Sequence, residues 1–224
     1  MMSEILYKAS RPDGWDFRTG GTLDYGTALA SGAVLLHPRP GGMIRNNAST
    51  YISLSSEPGE VLTGGSFPCR LFMAEPSGEV ITSDEYTFKR CVKAVRIIRE
   101  LPSWQALGPN GKAAEAVLSR LATLTADEAT RLRAARDAAR DAAWNAARSA
   151  AWKTARDAAR SAAWDAAWKA AWDTAWNAAW GAARSAAWNA AGDAILAHLT
   201  RDLISEAQFQ VLAGPWISVT GDVT

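Results

Sequence analysis

Cysteine is scarce in this chain, with Cys69 and Cys91 the only two among 224 residues. That excludes a disulfide framework, and the pair reads as free thiols of a reducing compartment. Histidine is as sparse: His37 and His198 stand far apart and neither lies at ligand spacing from a cysteine or a second histidine. No metal site and no cofactor is expected from such a set. An excess of one charge sign is missing too. The formal net charge is +1, which gives no overall pull toward nucleic acid or an anionic bilayer. No apolar run reaches the ~20 residues that a spanning helix needs. The opening Met1-Met2-Ser3-Glu4-Ile5-Leu6-Tyr7 lacks the basic-then-apolar order of a signal peptide. The expectation is a cytoplasmic protein without a membrane span.

Proline is absent over residues 124–213, and what fills that stretch is a four-residue repeat. Over residues 136–192 each unit opens on Arg or Trp, with Gly192 in the last lead place, continues with a small or polar residue, and closes on two small residues, mostly Ala-Ala. Arg136, Arg140, Trp144, Arg148, Trp152, Arg156 and Arg160 lead the first units; Trp164, Trp168, Trp172, Trp176, Trp180, Arg184 and Trp188 lead the rest. Alanine is the best helix former, so a helix is predicted, roughly 85 Å long if unbroken. Four residues turn a helix by about 400°, so each lead side chain is offset by ~40° from the last. The Trp/Arg row is therefore a spiral ridge and not the single seam of a heptad coiled coil.

The run from Trp164 to Trp180 sweeps about 160°, with each ring able to bury ~150–250 Å². Left in water it would be a large apolar patch, so a cover is predicted: helices of the same chain, a second copy, or a protein partner. The Arg-led half suits solvent, or cation–π stacking on Trp144 and Trp152. Nucleic acid is a poor partner, because residues 126–200 carry ten Lys/Arg against eight Asp/Glu. A spiral ridge with few lysines also fits a membrane surface poorly.

The first hundred residues read differently. Short runs at 5–9, 15–19, 33–36, 51–55, 69–74 and 79–82 look like strands, punctuated by Pro/Gly turns such as Pro76-Ser77-Gly78. Residues 94–100 suit a strand or a helix, and periodicity alone does not decide. A small, mainly antiparallel β-rich domain is expected, ending near Leu101-Pro102. Beyond it, a single helical turn is expected at 102–107 and an ordinary core helix at 112–123. Thr125-Ala126-Asp127-Glu128 is a capping box that opens the long helical segment. After Gly192, Ile195, Leu196, Leu199, Leu203 and Ile204 form an apolar stripe. Ser205 to Gln208 starts a short final helix, Gly214-Pro215 stops it, and 216–219 reads as a closing strand.

Candidate chemistry is confined to the β-rich part. Arg11 ends the first strand, Ser53 and Ser55 lie on a middle strand, and Glu75 or Glu79 lies near a later one. That order resembles the ADP-ribosyltransferase pattern, in which an Arg and a Ser position the dinucleotide and a Glu stabilises the developing oxocarbenium charge. The Ser-Thr-Ser and Glu-X-Glu triplets of that pattern are missing. The plainer reading places Ser53 and Ser55 on the solvent face of an alternating strand, with Arg11 and Glu75 at turns. His37 lies in a proline-bounded loop, and the plainer reading gives it no function. Gly64-Gly65 is too short for a phosphate loop and lacks the following Lys-Ser/Thr.

Three further segments bear on family. They are Leu6-Tyr7-Lys8-Ala9-Ser10-Arg11-Pro12-Asp13-Gly14, Gly65-Ser66-Phe67-Pro68-Cys69-Arg70-Leu71-Phe72 and Leu101-Pro102-Ser103-Trp104-Gln105-Ala106-Leu107-Gly108. With the Ala-Trp-Asp-Ala-Ala units and the tail to Gly214-Pro215-Trp216, they resemble a family of uncharacterised actinobacterial and phage proteins. The resemblance implies a phage–host or defence setting and assigns no catalytic residue.

The fold expected is α+β: a β-rich domain at 1–101, a connector with short helices at 102–124, the Ala/Trp repeat as a long helix or helical hairpin at 125–200, and a closing segment at 201–224. The function expected is a non-enzymatic interaction or self-assembly module. Its interaction ridge is Trp144, Trp152, Trp164, Trp168, Trp172, Trp176, Trp180 and Trp188, and its partner is a second copy or another protein. The alternative is small-molecule or nucleotide binding, or ADP-ribosyltransferase-like activity, through Arg11, Ser53, Ser55 and Glu75.

Overall fold

The computed structural model describes residues 4–19, 21–39, 41–44, 47, 49–84, 86–138, 142–158, 169 and 182–221. The chain is α+β and forms two compact units, Met1–Ala106 and Leu107–Thr224. No helix among the described residues is long and apolar enough to cross a membrane.

The first unit contains β1 (Leu6–Ser10), α1 (Tyr25–Ser31), β2 (Val34–Leu36), β3 (Ile52–Ser55), β4 (Arg70–Thr82) and β5 (Lys89–Leu101). Every pairing is antiparallel. β4 and β5 form a long hairpin, and β3 and then β2 run along the second edge of β5. β1 pairs with β4 through five residues and meets β3 at the single pair Tyr7–Ser55. These pairings close β1, β4, β5 and β3 into a ring. Leu6, Ile52, Leu54, Phe72, Ala74, Val92, Val95 and Ile97 fill the core, joined by Tyr25 and Ala28 of α1. α1 starts where the Asp24 carboxylate accepts the Thr27 amide at 3.0 Å and ends at Gly32, whose φ of 70° is left-handed.

Two strand expectations are corrected here. Apart from Cys69, residues 69–74 and 79–82 belong to one strand, β4, and Pro76-Ser77-Gly78 lies inside it. β1 pairs with β4 only as far as Ala74, so beyond that point one edge of β4 has no ladder to lose. Pro76 is tolerated at such an edge. Gly78, at φ 92°, sits in the register shift between Ser77 and Val80, where an extra residue is absorbed as a bulge. Residues 15–19 form no strand beyond a lone Trp15–Asp24 bridge. The Asp16 side chain takes the amides of Arg18 and Thr19 and turns the backbone before a ladder can extend. Residues 94–100, ambiguous in sequence, fall in β5.

The second unit is helical: α2 (Gly111–Ala122), α3 (Ala126–Ala138), α4 (Ala142–Ala158), α5 (Ala182–Leu199) and α6 (Glu206–Thr220). The capping box at α3 forms, with the Glu128 amide donating to Thr125 Oγ1 at 3.2 Å and the Thr125 amide donating to Glu128 Oε2 at 3.0 Å. α5 contacts α2, α3, α4 and α6 and is buried on nearly every side from Ala190 to His198, as a helix that is apolar all round must be.

The closing segment at 216–219 is a helix and not a strand, and Gly214-Pro215 does not end α6. Ser205 and Gln208 make a capping box, and Phe209, Leu212, Ala213 and Trp216 then lie on one buried face. An interior proline costs about 3 kcal/mol. Full burial of an indole offers ~4–6 kcal/mol at ~25 cal/mol per Å², and Trp216 is completely buried. The packing outweighs the break.

The repeat does not run as one rod. In a continuous helix Arg148 and Asp193 would be roughly 68 Å apart. Instead the Arg148 guanidinium grips the Asp193 carboxylate in a two-pronged bond, Nε at 2.8 Å and Nη2 at 2.7 Å. Small residues make the close contacts: Ala151 and Ala155 of α4 and Ala187, Ala190, Ala191 and Ala194 of α5 are buried. Trp152 and Trp188 are half-buried, and Arg156 stacks over the Trp152 ring at 5.1 Å. The side chain of Trp144 and all of Trp164, Trp168, Trp172, Trp176 and Trp180 lie outside the described residues.

Asp193 is 4% exposed, and its burial raises the carboxyl pKa despite the opposing Arg148 charge. Arg148→Ala is expected to destabilise the helical unit by about 3–5 kcal/mol, because it strands a buried carboxylate. Thermal unfolding followed by circular dichroism should show the loss, and Arg148→Met combined with Asp193→Leu should recover most of it.

Candidate functional site

A buried carboxylate organises the surface of the first unit. Asp16 is 5% exposed and accepts four donors. Lys8 Nζ lies at 2.7 Å and the Tyr25 hydroxyl at 3.0 Å from Oδ1. The amides of Arg18 and Thr19 reach Oδ2 at 2.9 and 3.0 Å. Burial alone would push the Asp16 pKa up, but the Lys8 charge and these hydrogen bonds hold it down at about 2. Tyr25 responds in the opposite sense: burial and the adjacent carboxylate drive its pKa well above 10.0, so the phenol keeps its proton. The Asp16 amide also donates to the Leu23 carbonyl at 2.9 Å. Both ends of the intervening loop are thus tied, and Arg18, Thr19 and Thr22 project from it.

A second loop faces it, leaving the end of β2. The His37 amide donates to the Lys93 carbonyl at 2.8 Å, and Lys93 Nζ donates to the Arg39 carbonyl at 2.9 Å. The Arg39 amide donates to His37 Nδ1 at 3.3 Å, which leaves Nε2 to carry the imidazole proton. Arg39 Nη1 donates to Ser49 Oγ at 2.7 Å, and the Ser49 hydroxyl donates to Asn47 at 2.6 Å. Between the two loops lies a cavity of about 550 Å³, lined by Arg18, Thr19 and Thr22 on one side and by His37, Pro38, Arg39 and Ser49 on the other.

The polar side chains of the residues that line this cavity are unevenly committed. Thr22 gives its hydroxyl proton to the Thr19 carbonyl at 2.9 Å, and Ser49 is fully used. The Arg18 guanidinium makes no ion pair with any described residue. It lies over Gly64, where an added Cβ would fall 1.9 Å from Nη2. Thr19 Oγ1 is buried and has no hydrogen-bond partner among the described residues. His37 is 8% exposed; burial first, then the Lys93 and Arg39 charges, lower its pKa, so the ring is neutral at pH 7. The described lining residues include two arginines and a neutral histidine, with no carboxylate among them, and the Thr19 hydroxyl is unspent. Such a set attracts an anion.

The residues singled out for dinucleotide chemistry are not assembled into one site. Ser53 and Ser55 share a cavity of about 20 Å³ with Tyr7, Glu60 and Lys89, which holds little more than one water. Arg11 pairs with Asp13 in an exposed turn, just past the Ser10–Arg70 pair, while Glu75 follows the Leu6–Ala74 pair and sits opposite Arg96. The length of β1 therefore separates Arg11 from Glu75, roughly 20 Å at ~3.3 Å per residue. His37 does line the main cavity. Among the described residues no group of three or more His, Cys, Asp or Glu could hold a metal ion. Arg18 and Thr19 carried one local signal, the Asp-x-Arg-Thr spacing that lets Asp16 cap two amides; Arg39 carried none.

No protein-family model, no curated protein and no solved structure matches the chain.

Held at about 2 in the fold against an ordinary 3.8, Asp16 contributes about 2 kcal/mol to stability at neutral pH. Its pKa is depressed, so that contribution is complete above pH ~4 and is lost as pH falls toward 2. Asp16→Asn should remove this part of the acid dependence in denaturant titrations between pH 2 and 7, and should cost about 3–5 kcal/mol by leaving Lys8 unpaired.

Proposed function

We propose that this chain is a binding protein rather than a catalyst, and that its N-terminal unit captures a small anionic molecule in the cavity between the Arg18 and Arg39 loops. One observation carries the reading: two arginines, Arg18 and Arg39, line the same cavity, and no carboxylate is among its described lining residues. Like charges gathered at a concave surface repel each other, and an anion relieves that repulsion. The volume of about 550 Å³ falls in the range of small-molecule sites, ~300–1,000 Å³.

The same geometry argues against chemistry at this site. A general base needs a free lone pair beside a nucleophile. The Nδ1 lone pair of His37 is engaged by the Arg39 amide, and the Thr22 and Ser49 hydroxyl protons are donated within the protein. What remains is a set of donors suited to holding charge.

Isothermal titration with citrate, sulfate and inorganic phosphate tests this reading. At least one anion should bind, and more weakly as salt rises. Arg18→Ala and Arg39→Ala should each weaken binding tenfold or more, since hydrogen bonds to charged groups are worth ~1.5–3 kcal/mol. Gly64→Ala should weaken it as well, because the new methyl displaces the Arg18 guanidinium. Absence of binding by every anion would refute the proposal.

The helical unit supports a second reading, self-association of the Ala/Trp repeat. Among the described side chains of α4 the buried ones are Ala151 and Ala155, while Trp152 between them is only half-buried. A second copy of the chain is the natural cover for a ridge built this way. Light scattering across a hundredfold range of protein concentration should show a mass above the monomer; a constant monomer mass removes this reading.

A further inference from the structure

Resting on the anion-site reading above, we infer that the ligand is the phosphate monoester of a small organic molecule, its phosphate held between Arg18 and Arg39 with Thr19 as a hydroxyl donor.

Charge balance decides between phosphate and carboxylate. A carboxylate carries one negative charge and is satisfied in a two-pronged bond by a single guanidinium. It would leave the second arginine of this cavity unpaired. A phosphate monoester carries about −1.5 to −2 at neutral pH and presents three acceptor oxygens. That matches two guanidinium charges beside a neutral His37. The imidazole adds a donor through Nε2 without adding charge, since Nδ1 is already the acceptor for the Arg39 amide.

Size decides between an ester and free phosphate. Five heavy atoms occupy at most ~150 Å³, even at the ~30 Å³ each that water takes in the liquid. The cavity of about 550 Å³ leaves most of its space for an organic group. The Pro38 ring and the aliphatic stems of Arg18 and Arg39 offer that group apolar contact, and the guanidinium planes can stack on a flat ring.

Thr19 is the independent sign that the cavity is built for an occupant. Its amide is fixed on Asp16, while its hydroxyl is buried with no partner among the described residues. Leaving a buried hydroxyl unmade costs about 1–3 kcal/mol. Rotation about χ1 offers the hydroxyl other staggered positions, and one directed to the cavity would give its proton to a phosphate oxygen.

Titration calorimetry at pH 7.5 with ribose 5-phosphate and adenosine 5′-monophosphate, set against adenosine, glucuronate and inorganic phosphate, tests the inference. Both esters should bind at least tenfold tighter than glucuronate or inorganic phosphate, and adenosine should give no heat. Thr19→Val adds a signature that a merely structural residue would not give. It should leave the melting temperature of the free protein unchanged or raised, yet weaken both esters about fivefold or more. Equal binding of glucuronate would overturn the phosphate assignment and leave the anion site standing. A Thr19→Val protein that binds the esters as tightly as the parent would overturn the role of Thr19. Failure of every anion to bind would overturn the site itself.

Discussion

The saturated carboxylate of Asp16 is the constraint on which the N-terminal unit turns. A buried charge is tolerable only when its lone pairs are spent. Here Lys8 from β1, Tyr25 from α1 and two amides of the following loop spend them. Because Lys8 and Tyr25 belong to different elements, the carboxylate also fastens strand, helix and loop to one another. The loop that carries Arg18 is thus tied through Asp16, and the one that carries Arg39 is tied through Lys93. Preorganisation of that kind lowers the ordering cost of binding.

The helical unit rests on another buried carboxylate, used differently. Asp16 has four donors of its own neighbourhood. Asp193 relies on Arg148, far away in sequence, and its raised pKa shows that the compensation is partial. The pair contributes less to net stability than to alignment: it fixes which turn of α4 faces which turn of α5. Alanine makes that alignment possible, since its short side chain lets helix backbones approach closely. The four-residue repeat therefore divides its labour, with small residues packing inward and Arg148, Trp152 and Arg156 leaving the contact along its rim.

Local rules were legible in the sequence, and tertiary ones were not. The start of α3 at Thr125 and of α6 at Ser205 could be read because a cap involves residues three apart. The strands of the β-rich part were legible to within a few residues where apolar and polar side chains alternate. β4 was misread at Pro76 because the rule against proline in a sheet depends on which edge is paired, and that edge is a property of β1. α6 was misread at Pro215 for a kindred reason: the burial of Trp216 outweighs a local break. The cavity was the least legible. Arg18 and Arg39 are 21 residues apart in sequence, and what brings them to one hollow is the pairing of Asp16 with Lys8 and the docking of the Arg39 loop on Lys93. No motif spacing encodes either contact.

The ring of strands closes between β1 and β3 at one residue pair, Tyr7 with Ser55, and the next residue on β1 is Lys8, the cation of the Asp16 network. The seam of the barrel and the anchor of the loop are therefore neighbours on one strand. Local opening would begin where the fewest backbone bonds resist it. When β1 peels back there, Lys8 leaves with it, and the loop that bears Arg18 loses its mooring in the same event. Conversely, a ligand that braces that loop tightens the seam, so that occupancy should be written into the slow exchange of the amides along β1.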